Sequence, residues 1–426
     1  MVSFPLDQIP FSIAGSFLTI TAHNPRNPSR LLYRTSSSRL VAGPSIPFDS
    51  SEFFEIVLLN DGIEAPYTWE ATPACLTLSA EKGASVRFTF GDLDTLLFQA
   101  QGVNLRLMPC KVFPVAFSPA PDQVALMDWT ARGFHYFRAV GNGQVLASIT
   151  PTVTGLENAF REYPRTIDFT STAGALRFVE FEHRWDEPLP DFEQVLVENQ
   201  KGISLWLSNM PPVPETYQAA AEQAWFILWN CLVPPGGALT RPAIYMSKAW
   251  MNGIWAWDNC FNALAVAQAD PALAWDQIRL FFDHQESLGM IPDVINDLEP
   301  VYSFNKPPVY GWAITKLIQI QGEKKALPYL NEIYKPLARL TEWWYTYRDF
   351  DGDGMPQYHH GNDSGWDNAT AFDQGCPVEG ADLAASLVLQ CEAVSHIAAL
   401  LDHRKAARRW YERAQTQLDQ LLNLQV

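Results

Sequence analysis

Three observations predict a multidomain β + α chain, a β-sandwich followed by a helical barrel or solenoid. Residues 1 to about 210 break into short alternating or β-branched segments. From Glu215 onward apolar residues recur at helical spacing. The Pro-rich stretch "SNMPPVPETY" (208–217) lies where the period changes. A length of 426 residues also suits two domains better than one. We therefore assign 1–210 to the sandwich and 215–426 to the helical domain.

The strand candidates are "SFLTITA", "FFEIVLL", "ASVRFTF", "VNLRLMP", "QVLASITP", "ALRFVEFEH" and "GISLWLS". Turn-rich pieces such as "HNPRNPS", "NDGIEAPYT" and "GNGQ" separate them. Many short strands at that spacing predict a sandwich and not a parallel sheet. The first helix, "ETYQAAAEQAWFILWNCLV", is stopped by "PPGG". The others are "DNCFNALAVAQA", "PALAWDQIRLFFDHQESLG", "VYGWAITKLIQIQ", "ALPYLNEIYKPLARLTEWWYTYR", "EGADLAASLVLQCEAVSHIAALL" and "RKAARRWYERAQTQLDQLLN". Helices joined by loops rich in polar and aromatic residues predict antiparallel hairpins with ligand-facing loops at one end.

Composition narrows the function. A formal charge of −17 excludes nucleic acid as a partner, because phosphate backbones repel acidic surfaces. No apolar run is expected to approach membrane-spanning length, and "MVSFPLDQIPFSIAGSF" lacks a basic n-region before a long apolar stretch. Six cysteines without CxxC spacing suit reduced thiols and a cytoplasmic location. Aromatic residues make up 13% of the chain, with fifteen Trp. Most belong in a core; an indole can also stack on the apolar face of a sugar.

Three stretches carry chemistry. "RDFDGDGMP" (348–356) alternates Asp349, Asp351 and Asp353 before Gly354, the first half of a calcium loop. At its twelfth position His360 stands where a bidentate Glu is expected. A solvated acidic turn is the alternative. In "GNDSGWDN" (361–368), Gly361 and Gly365 permit tight backbone, so that Asp363, Ser364, Trp366 and Asp367 can face a cleft, although an N-cap role suits Asp363 or Asp373 better than Asp367. A carboxyl beside an indole is partly desolvated, which favours its neutral form and suits proton donation to a leaving oxygen. "AWMNGIWAWDNCFNALA" (249–265) sets Trp250, Trp255 and Trp257 before Asp258 at a helix start, where an N-cap is the simpler role. The same residues also compose a sugar subsite, with the indoles stacking and Asp258 accepting from adjacent hydroxyls. More weakly, "MIPDV…FNKPPVYGWAI" (290–314) presents Tyr310 and Trp312.

The ordered run "WAWDNCFNALA", "GMIPD", "PPVYGWA", "RDFDGDGMPQYHHGNDSGWDNATAFD" and "VEGADLAA" resembles the catalytic domain of glycoside hydrolase family 63, and more distantly the family 37 trehalases. The resemblance covers roughly 215–426. It implies an N-terminal β-sandwich followed by an (α/α)6 barrel, and inverting hydrolysis of an α-glycosidic bond. In this pattern Asp367 is the general acid. Asp258 holds hydroxyls of the cleaved sugar, and Trp255, Trp257, Trp312, Tyr310, Trp366, Asp363 and His360 complete the substrate residues. Calcium in some members adds weight to Asp349, Asp351 and Asp353; no organic cofactor is implied.

Inversion needs a second carboxylate about 6.5–9.5 Å from the acid to activate water. In the family that base is a Glu in the last third of the barrel, and no matching segment precedes Val426. Glu379 and Asp382 stand at a helix start that the resemblance makes structural. The sequence is thus expected to form an incomplete barrel, to hydrolyse poorly by itself, and to self-associate through uncovered helix faces. The expected function is an exo-acting inverting α-glycosidase, an α-glucosidase acting on oligosaccharides or small glucosides. An inverting disaccharide phosphorylase and a non-catalytic sugar-binding fragment are the alternatives.

Overall fold

The computed structural model describes residues 3–39, 51–111, 115–128, 133–149 and 164–423. It divides into two compact units: Met1–Val233 with Ser247–Asn252, and Pro234–Met246 with Gly253–Val426.

The first unit is built on two antiparallel sheets. In spatial order, one runs Leu18–Thr21, Leu32–Thr35, Glu52–Asn60, Asn104–Pro109, Pro164–Phe169 and Val145–Ile149, with Ile63–Ala65 also paired on Glu52–Asn60. The other runs Val115–Ala120, Gln123–Asp128, Gly133–Ala139, Ala173–Val179, Thr95–Gln101, Ser85–Phe90, Leu76–Ala80 and Tyr67–Ala71. Alternate residues point into a shared core: Ile56 and Leu58, Leu105 and Leu107 from one sheet, Val86, Phe88 and Phe90, Leu96 and Phe98 from the other. Period-two burial in facing sheets is the physical signature of a sandwich. The last two residues of the "QVLASITP" strand candidate lie outside the described residues.

One strand candidate is wrong. "GISLWLS" is the end of helix α1 (Phe192–Ser208), not a strand. The Asp191 carboxylate accepts from the Gln194 amide to cap it, and Phe192, Val195, Leu196 and Ile203 bury one helical face. Short apolar runs do not by themselves separate the two periods. Helix α2 (Gln218–Cys231) belongs to the same unit: Phe226 joins the sandwich core. Trp206 of α1 and Trp225 of α2 stack at 4.8 Å, each indole donating to the other's carbonyl at 2.8 Å. The units therefore part after Val233, beyond the Pro-rich hinge.

The second unit contains α3 (Asp258–Val266), α4 (Pro271–Asp283), α5 (Tyr310–Gln321), α6 (Glu323–Tyr347), α7 (Ala381–Leu400) and α8 (Arg404–Asn423). They form successive hairpins in two rows. Helices α3, α5 and α7 pack side by side in one row, α4 packs on α6 in the other, and α8 lies on α7. Gly311 lets α5 and α7 meet closely: a Cβ there would stand 2.6 Å from the Gln390 Cα, and its N–H donates to Gln390 Oε1 at 2.6 Å. All seven helices expected after residue 215 form.

One compositional expectation fails. Helix α7 is twenty residues long and apolar, enough by length and composition alone to cross a membrane. Ala and Leu fill it because it packs against α5, α6 and α8, and ten of its residues are buried. The six cysteines are all free thiols.

Candidate functional site

The loops that lead into α3, α5 and α7 meet in the second unit. Ile254–Trp255 pairs with Val294–Ile295, which pairs in turn with Pro300–Val301. The Ala256 amide donates to the Asp293 carbonyl at 2.8 Å, which sets Asp293 beside Trp257 and Asp258. Asp258 opens α3, with Trp257 as its N-cap, and is half-buried. Burial raises its carboxyl above the usual range. A bond from its own backbone amide and the Lys306 ammonium oppose the rise, and Asp293 adds to it.

Asp293 is 4% exposed. Burial raises its carboxyl as well, while Lys306 Nζ at 3.7 Å and the Ser303 hydroxyl at 2.9 Å hold it down. Its Oδ1 has no hydrogen-bond partner among the described residues. The Lys306 ammonium also donates to the Asn362 carbonyl, which ties the loop before α5 to the loop before α7. Two desolvated carboxylates thus flank one ammonium on the convergent loops.

An aromatic row borders it. Trp257 meets Phe261 edge-on at 6.2 Å, and Phe261 meets Trp312 at 5.6 Å. Phe261 is 49% exposed, so this row offers an accessible apolar face. The "SGWDN" loop is seated on the same indole. Gly365 adopts φ +71°, and a Cβ there would lie 2.4 Å from Trp257 Cζ2. Only glycine lets the backbone come this close to the ring. Asp367 follows two residues later.

The structure sorts the sequence candidates. Asp258, Trp257 and Trp312 are half-buried in the convergent loops, Trp255 lies in the small sheet beside them, and Trp366 and Asp367 continue the loop that Gly365 anchors. Asp367 does not have the desolvated setting expected of it. It is exposed, Trp366 beside it is 62% exposed, and after Gly365 the chain turns outward.

Asp363 is not a sugar contact. It is 1% exposed and its carboxylate is filled by protein donors: Arg348 Nη1 at 2.8 Å and the amides of Asn305, His359 and His360 at 2.9–3.0 Å. Tyr310 is also excluded from the site, because its ring packs on Phe281 and Phe282 at 1% exposure and its hydroxyl faces Asn259 Oδ1. His360 stays exposed; its Nδ1 accepts the Asn362 amide, and its ring stacks on Phe304 at 4.7 Å. It is thus committed to capping, away from the acidic turn. Asp293, Lys306, Phe261 and Phe304 were missed, although "GMIPD" and "FNKPP" contain three of them.

In the acidic turn, ligand atoms of Asp349, Asp351 and Asp353 lie within 4.8 Å of one another. Asp349 accepts from the Gly352 and Gly354 amides at 2.9 and 3.0 Å, as loop amides bind the first acid of a cation loop. Buried Gln357 reaches Asp351 Oδ2 at 3.0 Å and Glu379 Oε1 at 3.3 Å through its Nε2, and its Oε1 has no partner among the described residues. Reversing the amide would present an oxygen to the acids, which is what a bound cation would require. Glu379 is thereby linked to Asp351 through one amide. Asp382 accepts from the Tyr358 hydroxyl at 2.7 Å and is structural.

Comparison with known proteins bears on the second unit. Residues 251–424 match the family model described as the mannosylglycerate hydrolase MGH1-like glycoside hydrolase domain. Mannosylglycerate hydrolase MGH1 of Selaginella moellendorffii is 22% identical over 28% of this chain and 28% of its own length. Mannosylglycerate hydrolase of Thermus thermophilus is 26% identical over 32% of this chain and 37% of its own. The chain thus spans about a third of the length of these curated relatives. A bacterial glucoamylase complexed with acarbose shares the fold over 99% of this chain and 67% of its own, with a TM-score of 0.60 and 10% identity. The resemblance to a glycoside hydrolase domain thus stands on the helical half of the chain.

Proposed function

We propose, from the premise that the second unit carries a glycoside hydrolase domain of this type, that its convergent loops bind one sugar ring of an α-glycoside and that Asp367 protonates the departing oxygen. The observation that carries the reading is the seating of Gly365 against Trp257. It sets the Asp367 loop beside the indole that precedes Asp258. Trp257, Phe261 and Trp312 supply the stacking face, Trp255 and Trp366 extend it, and ionised Asp258 accepts from two ring hydroxyls. A sugar lying over Trp366 would exclude water from Asp367, the proton donor of this reading.

In the reaction proposed, a nucleophile attacks C1 from the face opposite the leaving group, the C1–O bond breaks, and the proton of Asp367 goes to the departing oxygen. The product has the inverted configuration. Exo-acting cleavage of a small α-glucoside is one form of this reading. The relatives' activity makes an α-mannoside of a small organic acid the other substrate class to test. The acidic turn fits a hard cation held by Asp349, Asp351 and Asp353, with Gln357 and Glu379 beside it. We assign calcium a structural role there.

The exposure of Asp367 favours a second reading, a unit that binds sugar without turning it over. One experiment separates them. Phenyl α-glucoside and phenyl α-mannoside are offered with azide, an anion that attacks without a general base. The corresponding α-glycosyl fluorides, which need no protonation to depart, serve as controls. Proton donation by Asp367 predicts that Asp367→Asn slows the phenyl glycosides about 10²–10⁴-fold and spares the fluorides. Binding without cleavage of either class in the wild type would establish the second reading.

A further inference from the structure

We infer that the buried Arg348–Asp363 pair positions the loop that carries Asp367. The inference rests on the proton-donor reading of Asp367 and adds to it the residues that set its place. Asp363 joins three segments through one side chain. Its Oδ1 accepts from the Asn305 amide of the loop before α5, and its Oδ2 accepts from the His359 and His360 amides of its own loop. The Oδ2 also accepts from Arg348 Nη1 just past the end of α6. The guanidinium is itself fixed, 5.4 Å over the Trp343 ring and 5.8 Å over that of Trp344.

From this post the chain is pinned at each step toward Asp367. The Ser364 hydroxyl donates to the Gly361 carbonyl at 2.8 Å and accepts the Trp366 amide at 3.0 Å. The Asn362 carbonyl takes the Gly365 amide and the Lys306 ammonium, and Gly365 then packs on Trp257. The Ala369 amide closes a turn onto the Trp366 carbonyl at 2.9 Å. Asp367 lies inside that turn. Its carboxylate makes no hydrogen bond among the described residues, so its place is inherited from its neighbours.

Burial gives the pair its leverage. Arg348 and Asp363 side chains are 11% and 2% exposed. Neutralising either one leaves the other charge desolvated and unmatched, and the loop must rearrange to reach water. Asp363 touches no reacting atom in this arrangement; it is a positioning residue.

The test is residue-resolved amide exchange on the full chain, wild type against Asp363→Asn and Arg348→Lys. It is read at Gly365, Trp366 and Ala369, none of which bonds to Asp363. We expect these amides to exchange at least about tenfold faster in Asp363→Asn, and less so in Arg348→Lys, which keeps the cation. Core amides of α5 and α7 should speed up by no more than the global loss of stability requires, and by less than the three loop amides. Wild-type rates at the three amides in both variants, or an equal acceleration throughout the second unit, would overturn the inference. In the azide assay, Asp363→Asn should lower phenyl glycoside turnover at least about tenfold with little change in KM or in fluoride turnover. A loss shared equally by both substrate classes would make the pair merely structural. Asp367→Asn in the same series keeps the two readings apart. If it leaves phenyl glycosides unaffected, the donor assignment itself has failed. If it is impaired while Asp363→Asn is not, only the positioning has.

Discussion

Asp363 and Asp367 lie four residues apart in one loop and have opposite surroundings. The first is sealed by four protein donors; the second faces water. The acidic turn just upstream is intermediate, since Asp349 is half-buried and bonded to loop amides while Asp351 and Asp353 are exposed. Neighbouring carboxylates of one chemical type are thus divided into a post, an acidic turn and a free acid. The division follows the donors each one meets. A carboxylate whose lone pairs are filled by the protein has none left for a ligand, and a free one is held in place only by what surrounds it.

That contrast can be broken most forcefully at the post. Asp363→Ala should cost about 3–5 kcal/mol of stability, because it strands the buried Arg348 cation. Urea or thermal unfolding reads it, and a cost below about 1 kcal/mol would show that the ion pair is not what holds the loop. Asp258→Asn comes next. Removing a charged acceptor should weaken sugar binding about ten- to a hundredfold by titration calorimetry. Since Asp258 must be ionised to accept, wild-type affinity should fall with decreasing pH through a value above the ordinary 3.8. The same shift has the opposite sign for stability. A folded-state pKa raised above the unfolded one means that stability falls as pH rises from about 3.8 through the raised value. Asp258→Asn should remove that share of the slope.

Calcium sharpens the middle case. At a hundredfold excess over its Kd, the ion should raise stability by about 2–3 kcal/mol. Chelator should reverse the gain, and Asp351→Asn should blunt it. A melting temperature indifferent to calcium and chelator would leave the turn an acidic surface. The smallest effect is expected at Trp366→Phe. Stability should stay within about 0.5 kcal/mol for so exposed a residue, and sugar affinity should fall by no more than about tenfold.

Much of this architecture is legible in the chain. Alternation finds "ASVRFTF" and "VNLRLMP", and apolar spacing finds every helix from α2 to α8, because both signals are local. "GISLWLS" misleads because its apolar residues alternate although the face they belong to is helical, a face visible only when Phe192 and Val195 are counted with it. The site is legible to the same depth. Trp257, Asp258 and the "SGWDN" loop declare themselves by residue type, whereas the fate of Asp363 is decided by Asn305, fifty-eight positions away, and by Arg348, fifteen away. Asp293 and Lys306 escape for the same reason. Each is unremarkable until the small sheet sets one beside Asp258 and the chain returns the other to the Asn362 carbonyl.

The central claim is that Asp367 gives its proton to a departing sugar oxygen while attack comes from the other face. Proton magnetic resonance of the sugar products formed from phenyl α-glycosides in azide buffer tests it most directly. The account predicts β-configured glycosyl azide from the wild-type chain and about 10²–10⁴-fold less from Asp367→Asn. Equal yields from the two proteins, or an azide of retained configuration, would contradict it.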